Sequence, residues 1–199
     1  HVRSRRQRQM CIRDRSFKTK MHVIGAGVTA GIKQAIEEAE KNYKGLVIWH
    51  ADAAEGGAFS AGADLQSMLP LFMSGGVKAI EPEVVKLQQA HQALKYANVP
   101  VVAAVAGLAL GGGCELLLHA AKRVASIESY IGLVEVGVGL IPAGGGLKEA
   151  AARAANDARG NDILQFLKNY YMNAATAAVS RSALEAQTMG YLKLSLIHI

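Results

Sequence analysis

The sequence predicts an α/β fold whose last quarter is largely helical. Two apolar runs of strand length, residues 45–50 and 99–105, each follow a segment whose apolar residues recur at helical spacing, residues 28–41 and 83–96. From residue 146 to residue 192 the helix formers Ala, Leu, Lys and Glu dominate. Alternation of strands and helices is typical of an α/β domain.

The remaining elements follow from glycine and from apolar content. Residues 17–24 alternate weakly, which indicates at most a short strand. A glycine-dense turn is expected over residues 107–113, and an apolar helix over residues 114–125. Residues 131–141 are mixed in character. With neither an internal repeat nor a linker, 199 residues predict one domain.

Composition and charge exclude several classes of protein. Apolar residues make up 51% and charged residues 19%, so neither a disordered nor a low-complexity chain fits. The formal charge is +6, but residues 1–15 carry +5 of it and residues 16–199 only +1. The body of the chain therefore has no basic surface predicted from its composition, and no nucleic-acid partner is expected.

The two ends of the chain are predicted to be non-native. Residues 194–199 (LSLIHI) and residues 10–15 (MCIRDR) can be translated from opposite strands of one inverted repeat that resembles a sequencing-library adapter. We therefore expect tails at 1–15 and 194–199 around a domain at 16–193. An Arg-rich transit peptide or a nucleic-acid-binding arm remains the alternative for the first tail.

Cysteine usage and hydropathy favour a soluble protein of a reducing compartment. Cys11 belongs to the first tail, so Cys114 stands alone in the body and has no internal disulfide partner. The longest uncharged run, residues 97–114, is interrupted by Pro100 and by the consecutive glycines Gly111, Gly112 and Gly113. It is interpreted as a buried strand and turn, not as a membrane span, so we expect a cytoplasmic location and no membrane partner.

A first glycine motif leaves a nucleotide-binding alternative open. Gly25, Gly27 and Gly31 follow a few apolar residues and open a helix, and Asp52 after the next strand is a candidate ribose ligand. The spacing is G-x-G-x-x-x-G and the preceding apolar stretch is short. The same glycines need only form a plain turn from a strand into a helix, which is the favoured interpretation.

Three separated motifs are more specific: AFSAGADL at 58–65, PVVAAVAGLALGGGCELLL at 100–118 and GLVEVGVGLIPAGGG at 132–146. In this order and spacing they resemble the crotonase, or enoyl-coenzyme A hydratase and isomerase, superfamily. The resemblance runs from about residue 18 to 192 and is strongest to the hydratase domain of bacterial fused 3-hydroxyacyl-coenzyme A dehydrogenase and enoyl-coenzyme A hydratase proteins. It implies a superhelix of ββα units, incomplete at its C-terminal end.

Two of these loops can supply main-chain donors. Removing or adding a proton next to a thioester passes through an enolate, whose oxygen is stabilised by fixed N–H groups. Small residues around Ala63 and the glycines at the start of a helix leave such groups accessible. The resemblance implies that the N–H groups of Ala63 and Gly112 form this oxyanion hole; two ordinary tight turns are the alternative.

Glu115 and Glu135 are the candidate catalytic carboxylates. Each lies among apolar residues, where desolvation raises a carboxyl pKa towards neutral pH. Taken one at a time, Glu115 could simply interact favourably with the dipole of its helix, and Glu135 could face solvent. The resemblance matches both to the two catalytic glutamates of hydratases, which favours hydration of trans-2-enoyl-coenzyme A over double-bond isomerisation.

The resemblance also implies where the acyl-coenzyme A substrate binds. It places the adenine end near residues 20–24 and the thioester between the two loops. Cys114 is expected to be a small buried thiol, not a nucleophile. The implied substrate-binding residues are Lys20, Met21, His22, Ala61, Gly62, Asp64 and Gly111.

No cofactor is expected in this domain, because coenzyme A is part of the substrate and NAD would serve only an absent dehydrogenase domain. A metal site is not predicted either: His22, His50, His91 and His119 have neither H-x-x-x-H spacing nor a Cys-x-x-Cys partner. At full length we expect a homo-oligomer or part of a multifunctional complex.

Overall fold

The computed structural model describes residues 12–192 and 197–198. Three short 3-10 helices, Lys20–His22, Asp52–Glu55 and Glu135–Val138, connect the longer elements. The strands are β1 (Arg13–Arg15), β2 (Leu46–Ile48), β3 (Ala58–Ser60), β4 (Val101–Leu110), β5 (Lys122–Gly132) and β6 (Ile197–His198). The α-helices are α1 (Ala26–Asn42), α2 (Leu65–Lys95), α3 (Gly112–His119), α4 (Gly146–Ala158), α5 (Ile163–Ala175) and α6 (Ala183–Thr188).

The strands of the described residues form one parallel sheet. Their order is β1-β2-β4-β5-β6, and β3 pairs with β4 beyond the end of β2. Strand β4 lies at the centre and pairs with β5 from Val102 opposite Lys122 to Leu110 opposite Gly132. Parallel strands need crossover connections, and α1, α2 and α3 supply them. The predicted α/β class is confirmed.

The core lies between the sheet and the helices. Helix α1 buries Ile32, Ala35, Ile36 and Ala39, the stripe of apolar residues expected from its spacing. Every residue of α3 is buried, so this helix crosses the interior of the domain. Its first turn therefore carries Glu115 into the centre of the fold.

Helix α2 is longer than predicted. The helical spacing of the apolar residues predicted a helix over residues 83–96. The structure instead runs the helix over Leu65–Lys95 and places a kink at Gly76, where φ is 61° and ψ is −147°. Only glycine adopts that conformation readily, so Gly76 allows the kink inside the element.

The predicted helix over residues 114–125 is wrong in its second half. Helix α3 ends at His119, and β5 begins at Lys122. Residues 122–125 pair instead with residues 102–105 of β4, so main-chain pairing outweighs the apolar helical pattern. The predicted turn at 107–113 is similarly shortened, because β4 continues to Leu110.

The helical C-terminal quarter is confirmed, with three separate helices, α4 to α6. Residues 17–24 contain the 3-10 helix Lys20–His22 and one bridge between Ile24 and Ala63, and not the short strand that the weak alternation indicated. No helix in residues 12–192 is long and apolar enough to span a membrane.

Parts of the proposed tails are described. Strand β1 pairs with β2, and β6 pairs with β5 at Ala125 and Ser126. Residues 1–11, 193–196 and 199 lie outside the described residues. The prediction that 1–15 and 194–199 are non-native concerns the origin of the coding sequence, and it stays a prediction, as do the bounds of the domain at 16–193.

Candidate active site

Two loops meet at the ends of β3 and β4. The first runs from Ser60 into α2, and the second turns at Gly111 into α3. A methyl group on Gly113 would lie 2.6 Å from the main-chain oxygen of Ser60. On Gly62, where φ is 110°, it would lie 3.0 Å from the main-chain oxygen of Leu110. Side chains at these positions would separate the loops, which explains the small residues of both motifs.

The loops bring the predicted donors, the N–H groups of Ala63 and Gly112, together. A methyl group on Gly112 would lie 3.2 Å from the nitrogen of Ala63, so the two nitrogens are at most about 6 Å apart. One oxygen can accept from two donors at that separation, since each bond needs about 2.7 to 3.1 Å.

Neighbouring main-chain groups, and not the N–H groups of Ala63 and Gly112, make the hydrogen bonds of the two loops. The bridge to Ile24 uses the oxygen of Gly62 and the N–H of Asp64 and leaves out the N–H of Ala63. Gly112 is the first residue of α3, so its N–H has no acceptor within the helix. Within residues 12–192 neither N–H donates a hydrogen bond, so both remain available to a ligand.

Glu115 is buried and held by a glycine turn. Its side chain extends from the first turn of α3, and the residue is 2% exposed. The N–H of Gly146 donates to Oε1 at 2.9 Å. Burial, reinforced by the charge of Glu135, raises the pKa of Glu115 to about 7, although the N–H groups of Gly146, Gly144 and Gly145 oppose that rise.

Glu135 reaches the same region from the 3-10 helix that follows β5. Both carboxylate oxygens are buried, and neither has a hydrogen-bond partner among the described residues. A methyl group on Gly111 would lie 3.4 Å from Oε1 of Glu135, which places this carboxylate against the turn that begins α3. Burial raises the pKa of Glu135, although the nearby N–H groups of Glu135 itself and of Val134, too poorly aligned to count as hydrogen-bond donors, oppose that rise. The two predicted carboxylates and the two predicted N–H donors thus surround one turn.

Two histidines without a predicted role lie behind Glu115. The His91 Nδ1 atom is 2.7 Å from the oxygen of Gly144, and the His119 Nδ1 atom is 2.7 Å from the oxygen of Glu115. The rings stack with centroids 5.0 Å apart. His119 lies four residues after Glu115 on one helix, a spacing that could have indicated contact, whereas His91 is 53 residues from Gly144.

Hydrogen bonds join the first loop to the segment predicted to contact the adenine end of the substrate, Lys20, Met21 and His22. The N–H of Ala61 donates to the oxygen of Met21 at 3.0 Å, and the Ser60 hydroxyl donates to the oxygen of His22 at 2.8 Å. Met21 and His22 have φ of 50° and 53°, which is unusual for residues other than glycine. The structure therefore brings these residues beside Ala61 and Gly62; contact with a substrate stays a prediction.

Asp64 and Cys114 have structural environments. Asp64 is the N-cap of α2, where its carboxylate accepts from the N–H of Ser67 at 3.2 Å and from the Ser67 hydroxyl at 2.6 Å. Its predicted contact with substrate is untested. Cys114 is fully buried, and burial raises the pKa of its thiol well above the ordinary value, as expected for a thiol that is not a nucleophile.

The alternative at Gly25, Gly27 and Gly31 lacks the structural context that a dinucleotide loop needs. That motif requires a strand directly before the helix, and here the 3-10 helix Lys20–His22 precedes α1. A methyl group on Gly31 would lie 2.6 Å from the Arg15 guanidinium, so this glycine allows close packing against β1. Asp52, the candidate ribose ligand, lies 3.4 Å from the His22 ring.

A family model described as enoyl-CoA hydratase/isomerase matches residues 17–185. The chain is 40% identical over 177 residues to a Bacillus subtilis protein named "Probable 3-hydroxyacyl-CoA dehydrogenase", covering 89% of this chain and 22% of the relative. It is 35% identical over 117 residues to the "Fatty acid oxidation complex subunit alpha" of Psychrobacter cryohalolentis, covering 59% of this chain and 15% of the relative. The chain thus spans less than a quarter of the length of these curated relatives.

Solved structures share the fold. The crystal structure of an enoyl-CoA hydratase from Polaromonas sp. JS666 superposes with a TM-score of 0.73 at 22% identity, covering 90% of this chain and 65% of that one. An enoyl-CoA hydratase from Bacillus anthracis gives 0.72 at 20% identity, covering 94% and 66%. These likenesses confirm the predicted architecture, and the match at residues 17–185 confirms the predicted family.

Proposed function

Because the chain belongs to the enoyl-CoA hydratase/isomerase family, we propose that it hydrates trans-2-enoyl-CoA to 3-hydroxyacyl-CoA. The step would serve fatty-acid or related acyl-CoA β-oxidation. The observation that carries the proposal is the site itself: two buried carboxylates, Glu115 and Glu135, beside two N–H groups, of Ala63 and Gly112, that have no acceptor among the described residues.

The N–H donors support enolate chemistry. As water adds to the β-carbon of the enoyl thioester, negative charge develops on the thioester oxygen. Two preorganised N–H groups stabilise that charge without reorganising during the reaction. The positive end of the α3 dipole lies at Gly112 and adds to the effect. In our proposal the thioester oxygen binds between Ala63 and Gly112.

The carboxylates support addition of water. In our proposal Glu115 and Glu135 hold one water molecule between them; its oxygen bonds to the β-carbon, and a proton reaches the α-carbon from the same side. Carboxyl groups whose pKa values lie near neutrality exchange protons efficiently at working pH, and burial raises both pKa values here. Two carboxylates favour hydration over isomerisation, for which one proton-transfer group is enough.

The names of the relatives support a place in a multifunctional protein. We propose that the parent protein also carries a 3-hydroxyacyl-CoA dehydrogenase, the activity named in the Bacillus subtilis relative. This dehydrogenase would oxidise the product of hydration, and NAD would serve it and not the hydratase domain. We also propose a cytoplasmic location and, at full length, a homo-oligomer or a multifunctional complex.

Crotonyl-CoA hydration tests the proposed function. Loss of absorbance by the conjugated enoyl thioester, followed with the purified chain, is expected to depend on both carboxylates. A parallel assay with 3-enoyl-CoA measures isomerisation. Turnover of 3-enoyl-CoA with no hydration of crotonyl-CoA would show that the chain is an isomerase and not a hydratase. Binding of NADH in a fluorescence titration would revive the nucleotide alternative at residues 25–31.

A further inference from the structure

We propose that His91 is a positioning residue for Glu115, acting through Gly144 and the turn at residues 144–146. The inference rests on the proposed function only in assigning a purpose to the Glu115 carboxylate. The contacts that carry it join three separate elements, because His91 lies on α2, Glu115 on α3, and the turn precedes α4.

The turn is the direct partner of the carboxylate. Gly146 donates its N–H to Oε1 of Glu115 at 2.9 Å, and the N–H groups of Gly144 and Gly145 also stabilise the charged form. A methyl group on Gly144 would collide with Oε2 of Glu115 and would lie 3.2 Å from Cε1 of His91. The turn therefore packs against both the carboxylate and the imidazole, with no room for a side chain at Gly144.

The protonation of the His91 ring is defined by its partner. A carbonyl oxygen only accepts, so Nδ1 of His91 carries the proton that it donates to Gly144 at 2.7 Å. Burial lowers the pKa of His91 to about 3, so the ring is neutral at working pH and Nε2 carries no proton. His91 is 0% exposed, and its Nε2 has no partner in the described part of the chain. Among the described residues, the hydrogen bond to Gly144 is thus the one that the side chain of His91 makes.

A second imidazole fixes the main chain of Glu115 from the other side. Nδ1 of His119 donates to the oxygen of Glu115, and Nε2 accepts from the Lys148 ammonium at 3.0 Å. Burial lowers the pKa of His119, so this ring is also neutral. His119 also packs against the turn, since a methyl group on Gly145 would lie 2.8 Å from its Cε1. The two rings differ in their Nδ1 hydrogen bonds: His91 bonds the turn at Gly144, whereas His119 bonds the backbone of Glu115.

The charged groups around the pair lie on its outer side. Glu149 accepts from Lys95 at 2.6 Å and from Lys148 at 2.9 Å, and its carboxylate is 3.6 Å from Nε2 of His119. Burial would raise the pKa of Glu149, but the two lysines outweigh it and lower that pKa. Among residues 12–192, the other titratable groups that act on Glu115 or lie beside it are Glu135 and Cys114.

Losing the His91 bond should act on Glu115 in a defined direction. A turn released from Nδ1 holds its N–H groups less firmly against Oε1, so the charged carboxylate loses stabilisation. We therefore expect the pKa of Glu115 to rise further and kcat to fall about 10- to 100-fold, less than the roughly 100- to 10,000-fold that a general acid–base group itself contributes, because the carboxyl group remains. KM should change less than about threefold, because His91 is 0% exposed and faces no substrate.

Two amides provide a matched test. Asn places its NH₂ group where Nδ1 of histidine lies, whereas Gln places it nearer Nε2. We would compare His91→Asn, His91→Gln and His91→Phe with the parent chain, and would include His50→Phe as a control. His50 is 1% exposed and also has an unpartnered Nε2, but it contacts Phe17 and Ser16 and not the turn. Circular dichroism verifies that each variant folds.

The readouts are the ¹³C-carboxyl titration of Glu115, identified by its loss in Glu115→Gln, and the pH profile of kcat. We expect a higher Glu115 pKa in His91→Gln and His91→Phe, near-parental behaviour in His91→Asn, and an unchanged titration in His50→Phe. Should His91→Phe fail to fold, the Asn and Gln variants still decide. Equal titrations in these two, whether parental or both shifted, would overturn the proposal.

The two readouts separate this inference from the proposed function. The carboxyl titration needs no turnover, so an inactive chain would count against the hydratase while leaving the positioning role testable. If the chain hydrates crotonyl-CoA but the Glu115 titration is unshifted in His91→Gln, the proposed hydratase function stands and the positioning role of His91 is wrong.

Discussion

The two carboxylates of the site, Glu115 and Glu135, are buried together but held in different ways. Glu115 receives the N–H of Gly146 at 2.9 Å in front of a stacked pair of neutral imidazoles. Glu135 has two buried oxygens and no hydrogen-bond partner among residues 12–192. Burial raises the pKa of both. Burial alone can therefore tune a carboxyl group, whereas orientation requires a partner.

The orientations of the two carboxylates should therefore depend on different contacts. Glu115 is oriented by the protein itself, so its geometry should respond to changes in the turn behind it. Glu135 has both oxygens free of protein partners, so water or substrate must complete its hydrogen bonding. Shared burial predicts a similar loss when either carboxyl group is replaced, and the different partners predict different responses to pH.

The largest expected effect tests what the two groups share. Glu115→Gln and Glu135→Gln should each lower the hydration of crotonyl-CoA by about 100- to 10,000-fold, because an amide cannot exchange the proton. Binding of the saturated analogue butyryl-CoA, measured by calorimetry, should stay within about threefold, since the N–H donors of Ala63 and Gly112 are untouched. A near-parental rate in either variant would remove that carboxylate from the mechanism.

The second effect removes a main-chain donor while both carboxylates remain. Gly112→Pro deletes the N–H at the first position of α3, where proline is tolerated, and should lower kcat/KM by about 100- to 1,000-fold. Gly112→Ala is the matched control: its β-carbon would also lie 3.2 Å from the nitrogen of Ala63, but the N–H stays. Equal activity in these two variants would show that the N–H at this position is not a donor to the substrate.

The third effect is a pH dependence of the free energy of unfolding, which follows from the raised pKa of a buried carboxyl group. The pKa of Glu115 is about 7 in the folded chain against an ordinary 4.5, so protonated Glu115 stabilises the fold below about pH 4.5, and this stabilisation is lost as pH rises through 7. Glutamine does not titrate. The free energy of unfolding of Glu115→Gln, relative to the parent chain, should therefore increase by about 3 kcal/mol between pH 4 and pH 8.

Urea unfolding followed by circular dichroism at both pH values measures this difference. Glu135→Gln should show the same sign, because burial raises the pKa of Glu135 as well. The opposite sign for Glu115→Gln, a relative loss of stability at pH 8, would show that its partners in the turn outweigh burial.

Sequence accounts for much of the fold and of the site, and the exceptions have physical causes. The positions of Ala63, Gly112 and Glu115 follow from motifs whose small residues and helix start are local properties. The contact of Gly146 with Glu115 joins residues 31 apart, and that of His91 with Gly144 joins residues 53 apart, so no local pattern reports them. The helix predicted to pass Lys122 fails for the same reason, since pairing with β4 decides that segment.

The central claim is that Glu115 and Glu135 act through one water molecule on one face of an enoyl thioester whose oxygen binds Ala63 and Gly112. The most direct measurement is hydration of crotonyl-CoA in deuterated water, with the relative configuration of the 2-deuterio-3-hydroxybutyryl-CoA read from its proton NMR couplings. A single shared water predicts syn addition, with deuterium and hydroxyl delivered to the same face. Predominantly anti addition by an active chain would contradict the claim.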